Sequence, residues 1–194
     1  TVQSGTDDMP TEAQLSKAPI GERVEVLAFQ GSGVTKIRNQ VLKNAKGRYV
    51  IFADDDITFS EPGLVQALDH MQKTGIGLLL GQAVDQSGKL RKNYPAKVER
   101  LNKLNSAKAA TYEMIIDLDQ VKAKGVFFDE NFGAGAPVTY LGDEYIFICD
   151  LISAGVVCDF VPVVLATHPT VSSGSGWGTE RDRKARALIF DLSL

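Results

Sequence analysis

Three adjacent carboxylates, Asp54, Asp55 and Asp56, close a short apolar run from Tyr49 to Ala53. Two unit charges 4 Å apart repel by about 4 kcal/mol at an effective dielectric near 20, and by about 1 kcal/mol in open water. A triple acid at the tip of a buried strand lies between these limits, so it is a costly arrangement unless a cation occupies it. In an extended or turning backbone Asp54 and Asp56 face one side and Asp55 the other. Two carboxylates on one side suit a hard divalent ion, and Mg²⁺ completes its shell with water and substrate phosphates. A solvated acidic turn is the competing reading. No Gly or distal Glu stands at EF-hand spacing.

A second acidic pair, Asp143 and Glu144, follows Gly142 and opens an apolar helical stretch. Acids there face the positive end of the helix dipole, so simple helix stabilisation is the alternative to chemistry. The preceding loop from Phe132 to Pro137 carries Gly133 and Gly135, which let backbone approach a ligand closely. His168 stands between the apolar run Val161 to Ala166 and Pro169. It reads either as an ordinary loop histidine or as a neutral imidazole ligand for a divalent ion. Gly31-Ser32-Gly33 is a plain turn. Lys36 occupies the slot of a third dinucleotide-binding glycine, and no Gly-Lys-Ser/Thr follows. Arg38 and Lys43 are the helix cations that could face phosphate.

The elements that must position these residues alternate in type. Arg23 to Phe29 and Tyr49 to Ala53 read as strands, as do Ile76 to Leu80 and Met114 to Ile116. Val156 to Leu165 reads as a strand pair or one bent strand. Helical spacing predicts helices over Val34–Ala45, Glu61–Lys73, Asp117–Lys124, Asp143–Ala154 and Glu180–Phe190, with Pro62 in a first turn and Gly75 as a stop. Gln82 to Tyr94 reads as a polar hairpin turning at Gln86-Ser87-Gly88. Lys97 to Lys108 is basic and weakly patterned, and is expected to be partly mobile. Alternating strands and helices indicate an α/β layered fold, with the working site beyond the carboxyl ends of the strands.

The chain has 194 residues, 44% apolar and 23% charged, with a net charge of −3. That length suits one domain with a real core. The charge argues against a nucleic-acid partner. No run approaches the roughly 20 apolar residues of a spanning helix. Cys149 and Cys158 sit in apolar stretches and read as buried reduced thiols. With no visible signal peptide and no Asn-X-Ser/Thr site, the expected location is cytoplasmic. Arg181, Arg183, Lys184 and Arg186 on the last helix offer a peripheral contact with anionic lipid on the inner membrane face, against the reading of a solvated charged helix.

In this order the pieces resemble the inverting family 2 glycosyltransferases of GT-A fold. Arg38-Asn39 through Gly47 and Arg48 to Asp56 resembles that family's helix, strand and DXD motif. Phe128-Asp129-Glu130-Asn131-Phe132-Gly133 followed by Gly142-Asp143-Glu144 is similar to its acceptor loop and catalytic acids. His168 with Ser172-Ser173-Gly174 resembles its metal- or diphosphate-binding loop. The resemblance implies an α/β, GT-A-like domain over residues 1–194, with a mixed, mostly parallel sheet flanked by helices. The family's opening strand and Pro-Thr-Tyr-Asn-like loop have no match, so the domain is expected to be partial at its front.

The roles that the resemblance implies can be set out in turn. Asp7 and Asp8 hold the uracil or ribose of a nucleotide-sugar donor, a UDP-sugar first among them. Asp54, Asp55 and Arg38 contribute to donor binding. Asp54, Asp56 and His168 hold Mg²⁺ or Mn²⁺ at the diphosphate. Glu144 or Asp143 is the catalytic base, Glu144 being favoured by position. The acceptor is a saccharide or lipid-linked saccharide, as in bacterial polysaccharide biosynthesis. A sugar-phosphate nucleotidyltransferase and a non-catalytic carbohydrate-binding domain remain as alternatives.

Overall fold

The computed structural model describes residues 33–54, 56–169 and 179–193. Helix α1 (Val34–Asn44) precedes strand β1 (Tyr49–Ile51) and the two-residue strand β2 (Thr58–Phe59). Helix α2 (Glu61–Thr74), β3 (Leu78–Val84) and β4 (Glu99–Arg100) follow. A single 3₁₀ turn, Thr111–Glu113, leads into β5 (Met114–Asp117) and α3 (Leu118–Lys124). The chain continues with α4 (Asp143–Ser153), β6 (Cys158–Thr167) and α5 (Glu180–Ser193). The predicted helices therefore form within a few residues of their expected bounds. The strand predicted over Arg23 to Phe29, and Asp7, Asp8 and Asp55, lie outside the described residues.

The sheet runs β1-β5-β3-β6-β2, with β4 also on β6. β3 and β6 pair parallel, whereas β1–β5, β3–β5, β2–β6 and β4–β6 pair antiparallel. The mixed sheet with flanking helices agrees with the GT-A-like expectation. The parallel majority does not extend to the described strands, because β5 inserts antiparallel between β1 and β3.

Strand periodicity separates two cores. Leu78, Leu80, Met114, Ile116 and Phe160 point to one face, where Phe147 and Leu151 of α4 cover them. Leu79, Ile115 and Leu165 point to the other, under Ala67 and Met71 of α2. Helix α2 lies so close to β6 that a Cβ on Gly63 would stand 1.9 Å from the Val164 carbonyl oxygen. Its start is capped by Ser60, whose hydroxyl accepts from the Gly63 N–H at 3.2 Å, and its end by left-handed Gly75. Cys149 and Cys158 are buried and free.

Three local expectations are refined. The run Val156 to Leu165 is one strand, irregular opposite Gly81, where a Cβ would meet the Leu165 side chain at 2.5 Å. The polar hairpin turns where expected, because the Asp85 carboxylate accepts from the N–H groups of Ser87 and Lys89. The expectation of mobility over Lys97 to Lys108 is corrected. β4 pairs with β6, Leu101 is buried, and Arg100 donates to the buried Asp159 at 2.6 Å.

Candidate active site

Two acidic groups flank the ends of the strands, and their neighbours come from distant parts of the chain. The first is the pair at the start of α4. Gly142 caps that helix at φ 95°, a left-handed conformation that favours glycine. A Cβ there would stand 2.4 Å from Ile189 of α5, so the last helix packs directly on the turn that aims the two acids. Asp143 is buried and Glu144 partly so. Arg38 of α1 donates to Asp143 Oδ2 and lies 3.6 Å from Glu144 Oε1. Thr111 Oγ1 donates to the same Glu144 oxygen at 2.5 Å. The Arg38 guanidinium sits over two aromatic rings, 5.9 Å from the centre of Phe52 and 5.5 Å from that of Phe128.

Two further contacts tie the glycine loop to α1. Asn39 accepts from the Phe128 N–H at 2.8 Å and donates to the Phe128 carbonyl at 2.9 Å. Val34 N–H donates to the Ala134 carbonyl at 2.9 Å. Gly133 is left-handed, and a Cβ there would come within 2.9 Å of the Asp143 carboxyl carbon. The loop glycine is therefore needed for the buried acid to fit.

Burial and the neighbouring Glu144 carboxylate push the Asp143 carboxyl up to about 7, with Arg38 opposing them. This has a consequence for stability. Between the ordinary value of 3.8 and about 7 the folded chain holds a proton at Asp143 that the unfolded chain releases. The contribution is fully present below that window and is lost as pH rises through it. Melting temperature followed from about pH 4 to pH 8 should show this decline, and Asp143→Asn should remove Asp143's part of the slope.

The second group is the acidic strand tip. Asp54 and Asp56 are exposed, and the chain turns there with Ile57 N–H on the Asp54 carbonyl. His168, buried at 5% exposure, places Nε2 at 3.9 Å from Asp56 Oδ2. Its Nδ1 is 2.7 Å from the Pro169 carbonyl oxygen. A carbonyl only accepts, so that contact places a proton on Nδ1, and Nε2 is the ring nitrogen that faces Asp56. Arg91 donates to the His168 carbonyl at 3.0 Å and to that of Pro169, holding the loop. The Tyr112 ring lies 4.9 Å from the imidazole. Burial first, then the Glu113 charge, push the Tyr112 hydroxyl up to about 12, and the Asp54 charge adds to this. Among the described residues no three His, Cys, Asp or Glu side chains converge as a metal-binding set.

The fold thus brings together Arg38, Asp143 and Glu144, and separately Asp56 and His168. The guanidinium of Arg38, a residue expected to contribute to donor binding, lies against the acid pair, where a buried carboxylate needs a cation beside it. Thr111, Tyr112, Phe52 and Phe128 were not anticipated. Phe128 stood in a recognisable loop motif, but Thr111 and Tyr112 carry no local pattern. On α5, exposed Lys184 pairs with exposed Glu180 one turn earlier, whereas Arg186 pairs with Asp182, which is buried.

No curated protein matches this chain. Solved structures share its fold. The chain aligns with S. aureus TarS 1-349 in complex with UDP-GlcNAc at a TM-score of 0.61 and 16% identity, over 86% of this chain and 48% of that one. With the same fragment in complex with UDP the TM-score is 0.56 at 16% identity, over 83% and 45%. With a further S. aureus TarS structure it is 0.56 at 19% identity, over 84% and 28%. The chain therefore spans about half the length of the first of these. The model of the family described as glycosyl transferase family 2 matches residues 3–132. That span holds Asp7, Asp8, Arg38 and the Asp54–Asp56 tip, while Asp143, Glu144 and His168 lie beyond it. With well over half of its length matched in this way, the chain belongs to glycosyl transferase family 2.

Proposed function

We propose that this chain is the transferase domain of an inverting glycosyltransferase, moving a sugar from a nucleoside-diphosphate donor to a hydroxyl of a saccharide or lipid-linked saccharide. The observation that carries the reading is the half-buried Glu144 carboxylate, oriented through one oxygen by Thr111 and flanked by Arg38 and the buried Asp143. A UDP-sugar is the favoured donor, supported by the UDP and UDP-GlcNAc bound in the TarS structures.

Glu144 takes the proton of the acceptor hydroxyl. The acceptor oxygen then forms its bond to the anomeric carbon from the face opposite the diphosphate, and the bond to the diphosphate oxygen breaks with its electron pair leaving on the nucleotide. Attack from the opposite face inverts the anomeric configuration. Asp143 and Arg38 fix the start of α4 and the charge around the base. Asp54 faces the ribose or sugar side, with Asp7, Asp8 and Asp55 completing the donor site.

The Asp56–His168 pair fits a divalent cation. Ligand atoms of one ion stand about 2.1 Å from it, so a carboxylate oxygen and an imidazole nitrogen 3.9 Å apart can share one. Asp56 and His168, with Asp54 beside them, are the residues that would hold Mg²⁺ or Mn²⁺, whose charge offsets that of the diphosphate. Asp56→Ala is expected to lose Mn²⁺-dependent UDP binding by calorimetry. Equal affinity with and without a chelator in the parent protein would count against the metal.

The reading as a whole is tested by incubating the protein with a panel of UDP-sugars and oligosaccharides. Release of UDP, with a product of inverted anomeric configuration by NMR, is expected. A retained configuration would overturn it.

A further inference from the structure

We infer that Thr111 is a positioning residue that selects which oxygen of Glu144 acts as the proton acceptor. The inference rests on the reading of Glu144 as the base. Thr111 is 7% exposed and its Oγ1 stands 2.5 Å from Glu144 Oε1. A carboxylate only accepts, so the hydroxyl donates, and the distance is that of a charge-assisted bond. Arg38 Nη1 approaches the same Oε1 at 3.6 Å. Both donors thus converge on one oxygen. Glu144 also shares a side-chain hydrogen bond with the neighbouring Asp143 carboxyl, and Oε2, the oxygen that Thr111 does not hold, is the atom left to take the acceptor proton.

The geometry of the 3₁₀ turn makes this placement stiff. Its three residues reach three different places. Thr111 holds the base, and the Tyr112 ring lies against His168. Glu113, 2% exposed, anchors the turn by accepting from Lys92 Nζ at 2.8 Å and from the Tyr94 hydroxyl at 2.6 Å. A glutamate carries three side-chain torsions, and a single fixed donor on Oε1 removes most of their freedom in the direction that matters for proton transfer. The same turn sets the base and abuts the histidine of the proposed cation site, so the spacing between the two is fixed by one short element.

The test uses UDP release from UDP-GlcNAc with Mn²⁺ and an oligosaccharide acceptor, comparing the parent protein, Thr111→Val, Thr111→Ser and Glu144→Gln. Thr111→Val keeps the shape and removes the hydroxyl. It should lower kcat by about 10- to 100-fold while KM for the donor stays within about twofold. Thr111→Ser restores the donor and should return kcat to within about threefold of the parent, which a purely structural role for the threonine methyl would not allow. Parent-like turnover in Thr111→Val alongside an inactive Glu144→Gln overturns the role of Thr111 alone. A serine variant as slow as the valine variant does the same. Full turnover in Glu144→Gln, or none in the parent, removes the base itself and this inference with it.

Discussion

Replacing Arg38 with methionine is expected to destabilise the fold by about 3–5 kcal/mol, the range for breaking a buried ion pair from one side. The Arg38 side chain is 11% exposed and its partner Asp143 is 7% exposed, so little solvent screens the pair. Methionine is apolar and can lie near the Phe52 and Phe128 rings over which the guanidinium sits. What it cannot supply is a positive charge between two carboxylates. The deficit should widen as pH rises, because protonation of Asp143 is the way left to relieve it. Urea unfolding at about pH 5 and pH 8 measures both the loss and its slope. A change below about 1 kcal/mol would mean that the pair behaves as a solvated surface bridge.

Glu144→Gln should reduce transfer by about 10²–10⁴-fold, the usual contribution of a general base. The change retains the length of the side chain and a carbonyl oxygen for Thr111, so the site keeps its shape. It also removes the negative charge that pushes the Asp143 carboxyl up, leaving Arg38 and Asp143 as a balanced pair. Stability should therefore hold or rise, which separates lost chemistry from lost folding. UDP affinity by calorimetry should match the parent, since the acids proposed to hold the donor lie elsewhere in the chain. Unchanged turnover would exclude Glu144 from the role. Residual activity that disappears only in the Asp143→Asn, Glu144→Gln double variant would move the role to the acid pair as a unit.

Both results depend on contacts between residues more than a hundred positions apart. Arg38 and Asp143 illustrate how much of this was readable. Arg38-Asn39 and Gly142-Asp143-Glu144 each stand out as motifs, yet nothing in the chain says that they meet. From sequence Arg38 reads as a cation that could face phosphate or as one more solvated charge on a helix surface. It becomes the partner of Asp143 only when the loop pinned by Asn39 to Phe128 folds α1 against the start of α4. Thr111 was illegible for a different reason. A threonine ahead of a strand has no distinctive pattern, and its value comes from a donor placed at 2.5 Å by tertiary packing.

Local physics fixed the elements themselves. The apolar runs at Leu78–Leu80 and Met114–Ile116 marked strands buried on both faces, and Pro62 and Gly75 marked the first turn and the end of one helix. The acidic strand tip and the acids after Gly142 were likewise visible, though a solvated turn and helix stabilisation account for such acids equally well at the level of sequence. Tertiary structure alone decided which carboxylate is buried and paired, which oxygen of Glu144 Thr111 holds, and that His168 Nε2 faces Asp56. Those outcomes are set by desolvation and by distances of a few ångströms across the fold. Such quantities depend on how helices dock onto the sheet, and residue type and spacing along the chain do not specify them.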